Sequence, residues 1–113
     1  MTTAIEKLDG LRAHVDDRGI DLALVERAET WLNALRQITG SSWREPAYVF
    51  YDNAEAEIQF TWYGKRDLGI AIKLQSVEYI QMWGPDINNH MMSGTISTTQ
   101  EQMALWRWLR EEQ

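Results

Sequence analysis

Cysteine is absent from the 113-residue chain, and histidine occurs only twice. The missing thiols exclude disulfides, thiolate metal sites and cysteine nucleophiles, and they fit a reducing compartment. No stretch approaches the roughly 18 apolar residues that a membrane span needs. The charged start of the chain, residues 1–10, lacks the apolar segment of a secretory signal. We therefore expect a cytoplasmic protein that has no membrane partner.

Positive charge is also scarce, because 17 acidic residues face 11 basic ones and give a formal net charge of −6. The one adjacent basic pair, Lys65-Arg66, is followed by Asp67. Proteins that bind nucleic acid carry a basic patch or stripe, so we predict no direct nucleic-acid partner. An acidic protein can instead occupy a basic groove, although dilute acidity also simply keeps a protein in solution.

Both ends of the chain show helical periodicity. Apolar residues recur at helical spacing over 3–17, and Asp21 is placed to cap a second helix that Gly40 ends. The short link between these helices predicts an antiparallel hairpin. Near the other end, Thr98 and Glu101 have the spacing of a capping box and predict a last helix over 99–110.

The middle of the chain alternates with a period of two, which is typical of half-buried strands. Short turns separate four such runs, which predicts an antiparallel meander. The predicted strands are Ala47–Tyr51, Glu55–Tyr63, Leu68–Leu74 and Val77–Trp83. Residues 84–96, rich in Asn, Gly and Met, are interpreted as a long connection to the last helix.

These patterns predict one α+β domain over residues 1–113, with an N-terminal helical hairpin, a four-stranded antiparallel meander and a C-terminal helix. Six tryptophans indicate a small protein that is held together by aromatic packing. Trp62 and Trp83 are predicted on neighbouring strands, and Trp106 and Trp108 on the last helix.

The outer face of this sheet is the predicted partner-binding surface. Val77 to Trp83 carries apolar residues on both faces, so one apolar set is exposed unless another element covers it. The predicted partner-binding residues are Tyr63, Ile80, Met82, Asp86, Met91 and Met92, the last three on the following connection. The alternative is that the last helix or the hairpin covers this face and creates a three-layer core.

Two places in the sequence carry residue types suited to chemistry. Asp86 and His90 have a spacing of four, but a metal ion needs a third ligand, and Pro85 favours a loop. Glu57 and Glu78 lie on predicted strands and have neighbours suited to simple ion pairing. We therefore predict no cofactor, no metal ion and no catalytic residue.

One sequence pattern resembles a group of small uncharacterised bacterial proteins. In that group a strand ending in Trp precedes a Gly-x-Arg turn, a strand that begins at Leu, a Val-Glu-Tyr strand and a Trp-Gly-x-Asp-Ile loop. The matching positions are Trp62, Gly64, Arg66, Leu68, Val77, Glu78, Tyr79, Trp83, Gly84, Asp86 and Ile87. The resemblance covers about half of the chain, implies the meander and carries no known activity.

Three functional hypotheses remain open. The first is a small non-catalytic module that binds a protein partner, such as a large basic assembly. An inhibitor or accessory protein from a phage or mobile element, for example an anti-CRISPR, is one form of it. The second is a small-ligand-binding protein or enzyme that uses the 83–94 loop. The third is a homodimer built through the face or the edge of the sheet.

Overall fold

The computed structural model describes residues 3–84 and 90–110 and has an α+β fold, as predicted. The helices are α1 (Ala4–Arg12), α2 (Val15–Arg18), α3 (Leu22–Thr39) and α4 (Thr99–Arg110), and a 3-10 turn spans Gly40–Ser42. The strands are β1 (Tyr48–Asp52), β2 (Glu57–Trp62), β3 (Arg66–Ile72), β4 (Val77–Trp83) and β5 (Met91–Ile96). All strand pairs are antiparallel, in the order β1-β2-β3-β4-β5.

The sheet has five strands, so the prediction of four was wrong. Residues 91–96, interpreted from the sequence as part of a connection, pair with β4 from Val77↔Ile96 to Met82↔Met91. Met, Ser and Gly give this segment little intrinsic strand preference. Its conformation depends on the neighbouring strand, which supplies the backbone partners.

The predicted first helix, over 3–17, is also wrong in detail, because it divides into α1 and α2. His14 has φ −112° and ψ 19°, outside the helical range, and its ring lies 3.1 Å from the Asp17 carboxylate. The start of α3 follows the prediction: the Asp21 side chain accepts a 2.9 Å hydrogen bond from the Ala23 N–H.

The hydrophobic core lies between the helices and one face of the sheet. Helix α1 packs against β1, α3 against β2 and β3, and α4 against β3. The alternating residues of β2 and β3 meet them there: Ile58, Phe60, Trp62, Leu68, Ile70 and Ile72 are at most 2% exposed. The helices therefore form one layer, on one side of the sheet.

A tryptophan cluster fixes the segment between α3 and β1. Trp62 meets both Trp43 and Trp106 edge-on, at centroid distances of 6.3 and 5.9 Å. All three indole N–H groups donate hydrogen bonds to residues 42–45: to the Glu45 carboxylate, the Arg44 carbonyl and the Ser42 hydroxyl. Aromatic packing thus closes this end of the core.

The second tryptophan pair lies apart from that cluster. Trp83 is on β4, separated from β2 by β3, so the prediction that it neighbours the strand of Trp62 was wrong. Its ring meets Trp108 edge-on at 6.0 Å, and the Arg66 guanidinium lies 5.1 Å from the Trp108 ring.

Candidate partner-binding face

The side of the sheet that faces away from the helices is the candidate functional surface, and we name it the open face. Residues directly opposite each other on paired strands share a face, so the strand register defines its members. They are Tyr48, Phe50, Asp52, Glu57, Gln59, Thr61, Asp67, Gly69, Ala71, Glu78, Ile80, Met82, Met91, Ser93 and Thr95. Tyr63 and Lys73, just beyond the ends of β2 and β3, adjoin them.

No helix in residues 3–84 and 90–110 packs on the open face as a layer, so the three-layer alternative is wrong. Among these residues the large exposed apolar side chains are Leu22, Tyr48, Phe50, Tyr63, Leu74, Met91 and Met92. Four of the seven belong to the open face or its margin, and they are 41–56% exposed. They lie around the margins of the face, on β1, beyond β2 and on β5, and exposed apolar side chains on one sheet face are typical of an interaction site.

Aromatic side chains occupy the β1 margin of the open face. The rings of Tyr48 and Phe50 stack with a centroid distance of 5.9 Å and an interplanar angle of 20°. Both side chains are more than 40% exposed. Rigid aromatic surface of this kind is enriched in protein interfaces, because it contributes contact area at low cost in side-chain entropy.

A shallow concavity of about 530 Å³ runs across the centre of the open face. Ala71, Ile80 and Met82 contribute apolar surface to its lining. Its shape depends on Gly69, because a Cβ atom there would lie 2.8 Å from Cγ2 of Ile80. The absent side chain therefore lets Ile80 lie across β3.

One end of the concavity, lined by Glu57, Lys73 and Glu78, is charged. Glu57 is only 7% exposed and accepts a 2.8 Å hydrogen bond from the Gln59 side-chain amide. The amine of Lys73 lies 3.8 Å from the Glu57 carboxylate and 3.4 Å from that of Glu78. The hydrogen bond to Glu78 and the charge of that carboxylate raise the pKa of the Lys73 amine.

The open face as a whole is acidic. Asp52, Glu57, Asp67 and Glu78 contribute four carboxylates along the paired strands, and Lys73 contributes one amine. This balance gives the face the sign of the whole chain, whose net charge is −6. A partner surface with basic groups around an apolar patch would complement it.

The six predicted partner-binding residues have three different outcomes. Tyr63, Ile80, Met82 and Met91 lie on the open face or its margin. Met92 pairs with Gln81 and projects from the other side of β5, so its assignment to the same patch was wrong. The sixth residue, Asp86, lies outside the described residues.

Sequence reasoning missed the β1 part of the surface. The run Tyr48-Val49-Phe50-Tyr51 is apolar at every position, so alternation could not show which pair faces outward. The assignment follows only from the register, which places Tyr48 opposite Thr61 and Phe50 opposite Gln59.

The other candidate, the 83–94 loop, contains the Asp86 position that the structure does not describe. His90 meets the Trp83 ring edge-on at a centroid distance of 6.0 Å. Within residues 3–84 and 90–110, no group of three His, Asp or Glu side chains could hold a metal ion. The carboxylates of Glu57 and Glu78 converge on Lys73, which makes them an ion-pair cluster.

Comparison of the chain with protein-family models, curated proteins and solved structures found no match. In the described part of the chain, none of the helices has both the length and the apolar character needed to cross a bilayer. The geometry of the open face is therefore the basis for a functional proposal.

Proposed function

We propose that the protein is a small non-catalytic module that acts in the cytoplasm and binds a protein partner through its open face. The observation that carries the proposal is the open face, which no helix of residues 3–84 and 90–110 covers and where four large apolar side chains are 41–56% exposed. Aromatic and methionine side chains that are exposed on the same sheet face often mark a site for a protein partner.

The chemistry of the face defines the partner class. The apolar centre suits a partner with aliphatic or aromatic side chains. The carboxylates of Asp52, Asp67 and Glu78 favour Lys or Arg around that patch. Inhibition of a basic assembly, as by an anti-CRISPR protein, stays a hypothesis from the sequence.

Partner capture with matched charge variants tests this proposal. The test variant is Tyr63→Glu, at a side chain 56% exposed on the margin of the open face. The control is Leu22→Glu, at a side chain 42% exposed at the start of α3. We expect the test variant to lose the captured protein and the control to retain it, with both melting temperatures close to that of the wild type.

Ionic strength provides the second measurement. Exposed charges are screened over about 10 Å at 0.1 M salt, so capture should weaken as salt increases.

Equal capture by both glutamate variants would contradict the proposal, because the bound surface would then lie away from the open face.

A further inference from the structure

The β5 edge of the sheet presents backbone groups to the outside. Trp83 donates its N–H to the His90 carbonyl over 3.1 Å, which makes positions 83 and 90 a hydrogen-bonded pair. Such pairs alternate along an antiparallel ladder. Positions 92, 94 and 96 therefore bond to β4, whereas Met91, Ser93 and Thr95 direct their N–H and C=O groups away from it.

This edge lacks the features that usually prevent strand pairing. Residues 91–96 include no charged residue and no proline. At the opposite edge, β1 follows Pro46, ends at Asp52 and packs against α1. The chain has a net charge of −6, but at the β5 edge two copies can approach without bringing like charges together.

The outward positions are self-complementary. Antiparallel pairing of two β5 strands about Ser93 would place Ser93 opposite Ser93 and Met91 opposite Thr95. On the other side of the strand, Met92, 54% exposed, would face Gly94 of the second copy. The Tyr79 ring covers Gly94, since a Cβ atom there would lie 2.9 Å from the ring. A methionine facing a glycine beside an aromatic ring allows close packing on both sides of the two-fold axis.

We propose that a second copy of the chain binds at this edge, with two β5 strands pairing antiparallel about a two-fold axis at Ser93. The two five-stranded sheets then form one continuous sheet, and their open faces lie on the same side. The dimer uses the backbone edge of β5, whereas the proposed partner binding uses side chains across the open face; Met91, Ser93 and Thr95 at the β5 margin belong to both. The interface consists of one strand per copy and is small, so association is weak and the dimer fraction increases with protein concentration.

Single cysteine substitutions can test the register without background cross-linking, because the chain contains no cysteine of its own. In the proposed dimer the two Ser93 Cα atoms are about 5.5 Å apart, within the range of a disulfide. The two Thr95 Cα atoms are separated by four residues of strand rise, about 14 Å. Under mild oxidation Ser93→Cys should form a disulfide-linked dimer, and the matched Thr95→Cys should form none. Equal cross-linking of both variants, or of neither, would overturn the proposal.

Sedimentation equilibrium provides an independent test. The wild type and Ser93→Ala, which keeps the outward N–H, should gain mass as concentration increases. Ser93→Pro should stay monomeric, because proline lacks the N–H that would bond to the second copy. The variant should still fold, because that N–H points away from β4. Wild-type protein that remains monomeric at high concentration, or a folded Ser93→Pro variant that still dimerises, would refute the pairing.

Discussion

At the scale of single residues, the ion-pair cluster at the end of the concavity combines a buried carboxylate with a shared amine. Glu57 is nearly inaccessible; its carboxylate accepts a hydrogen bond from the Gln59 amide and has the Lys73 amine as its cation. Glu78 holds the same amine from the neighbouring strand. A buried carboxylate that loses its cation is costly, so Lys73 stabilises the β2–β4 part of the open face.

Replacement of Lys73 by methionine should therefore lower the free energy of unfolding at neutral pH. The double variant Glu57→Gln/Lys73→Met should lose less than the sum of the two single variants, because it leaves no buried charge unbalanced. Urea unfolding of the four proteins measures this coupling. Additive losses would show that the amine does not compensate the Glu57 carboxylate.

At the scale of elements, helix α4 begins with a capping box that the sequence predicted. The Thr98 hydroxyl accepts the Glu101 N–H over 3.1 Å, and the Glu101 carboxylate accepts the N–H groups of Ser97 and Thr98 over 3.0 and 3.1 Å. These bonds satisfy backbone donors that a helix start otherwise leaves without partners. The hydrogen bond from the Ser97 N–H and, to a smaller extent, that from the Thr98 hydroxyl lower the pKa of Glu101.

This capping box predicts a pH-dependent contribution to stability. The pKa of Glu101 is lowered in the folded state, so its ionised form stabilises the protein at pH values above the ordinary pKa of glutamate. That contribution is lost as pH falls through the lowered pKa. Glu101→Gln should therefore be less stable than the wild type at pH 7, and the difference should shrink in acid.

Urea unfolding across the acidic range measures that difference. The control Glu26→Gln removes one carboxylate from an exposed position on α3. Thr98→Ala, which removes the other half of the box, should cost about 1 kcal/mol. A Glu101→Gln deficit that is the same at every pH would contradict the assigned role of the ionised carboxylate.

At the scale of the whole molecule, the sequence predicted those elements whose signals are local. β4 has the predicted bounds and α4 has the predicted start, because Gly84 marks the end of β4 and the capping box the start of α4. The alternation of β2 and β3 was readable since only one of their faces meets the helices. Similarly, alternation predicted the outward direction of Tyr63 and grouped Ile80 with Met82, while the register with β3 shows that this pair lies on the open face.

The parts that could not be predicted depend on long-range pairing. β5 has weak strand preference and exists through its register with β4. That register also separates Met91 from Met92, which the sequence had grouped in one patch. The outward direction of Phe50 follows from its position opposite Gln59, which no local pattern of β1 reveals.

The one-sided arrangement of layers also predicts uneven stability across the sheet. The helices pack mainly on β1, β2 and β3, so β5 can separate from β4 without disrupting the centre of the core. In native-state hydrogen exchange, the Gly94 amide should open at a free energy lower than that of Ile70 by on the order of 2 kcal/mol. Equal opening free energies at Gly94 and Ile70 would instead mean that the sheet unfolds as one cooperative unit. Measurement at two protein concentrations separates this property from dimer formation. As concentration increases, pairing should slow exchange at the outward Ser93 amide far more than at Ile70, which lies on the interior strand β3.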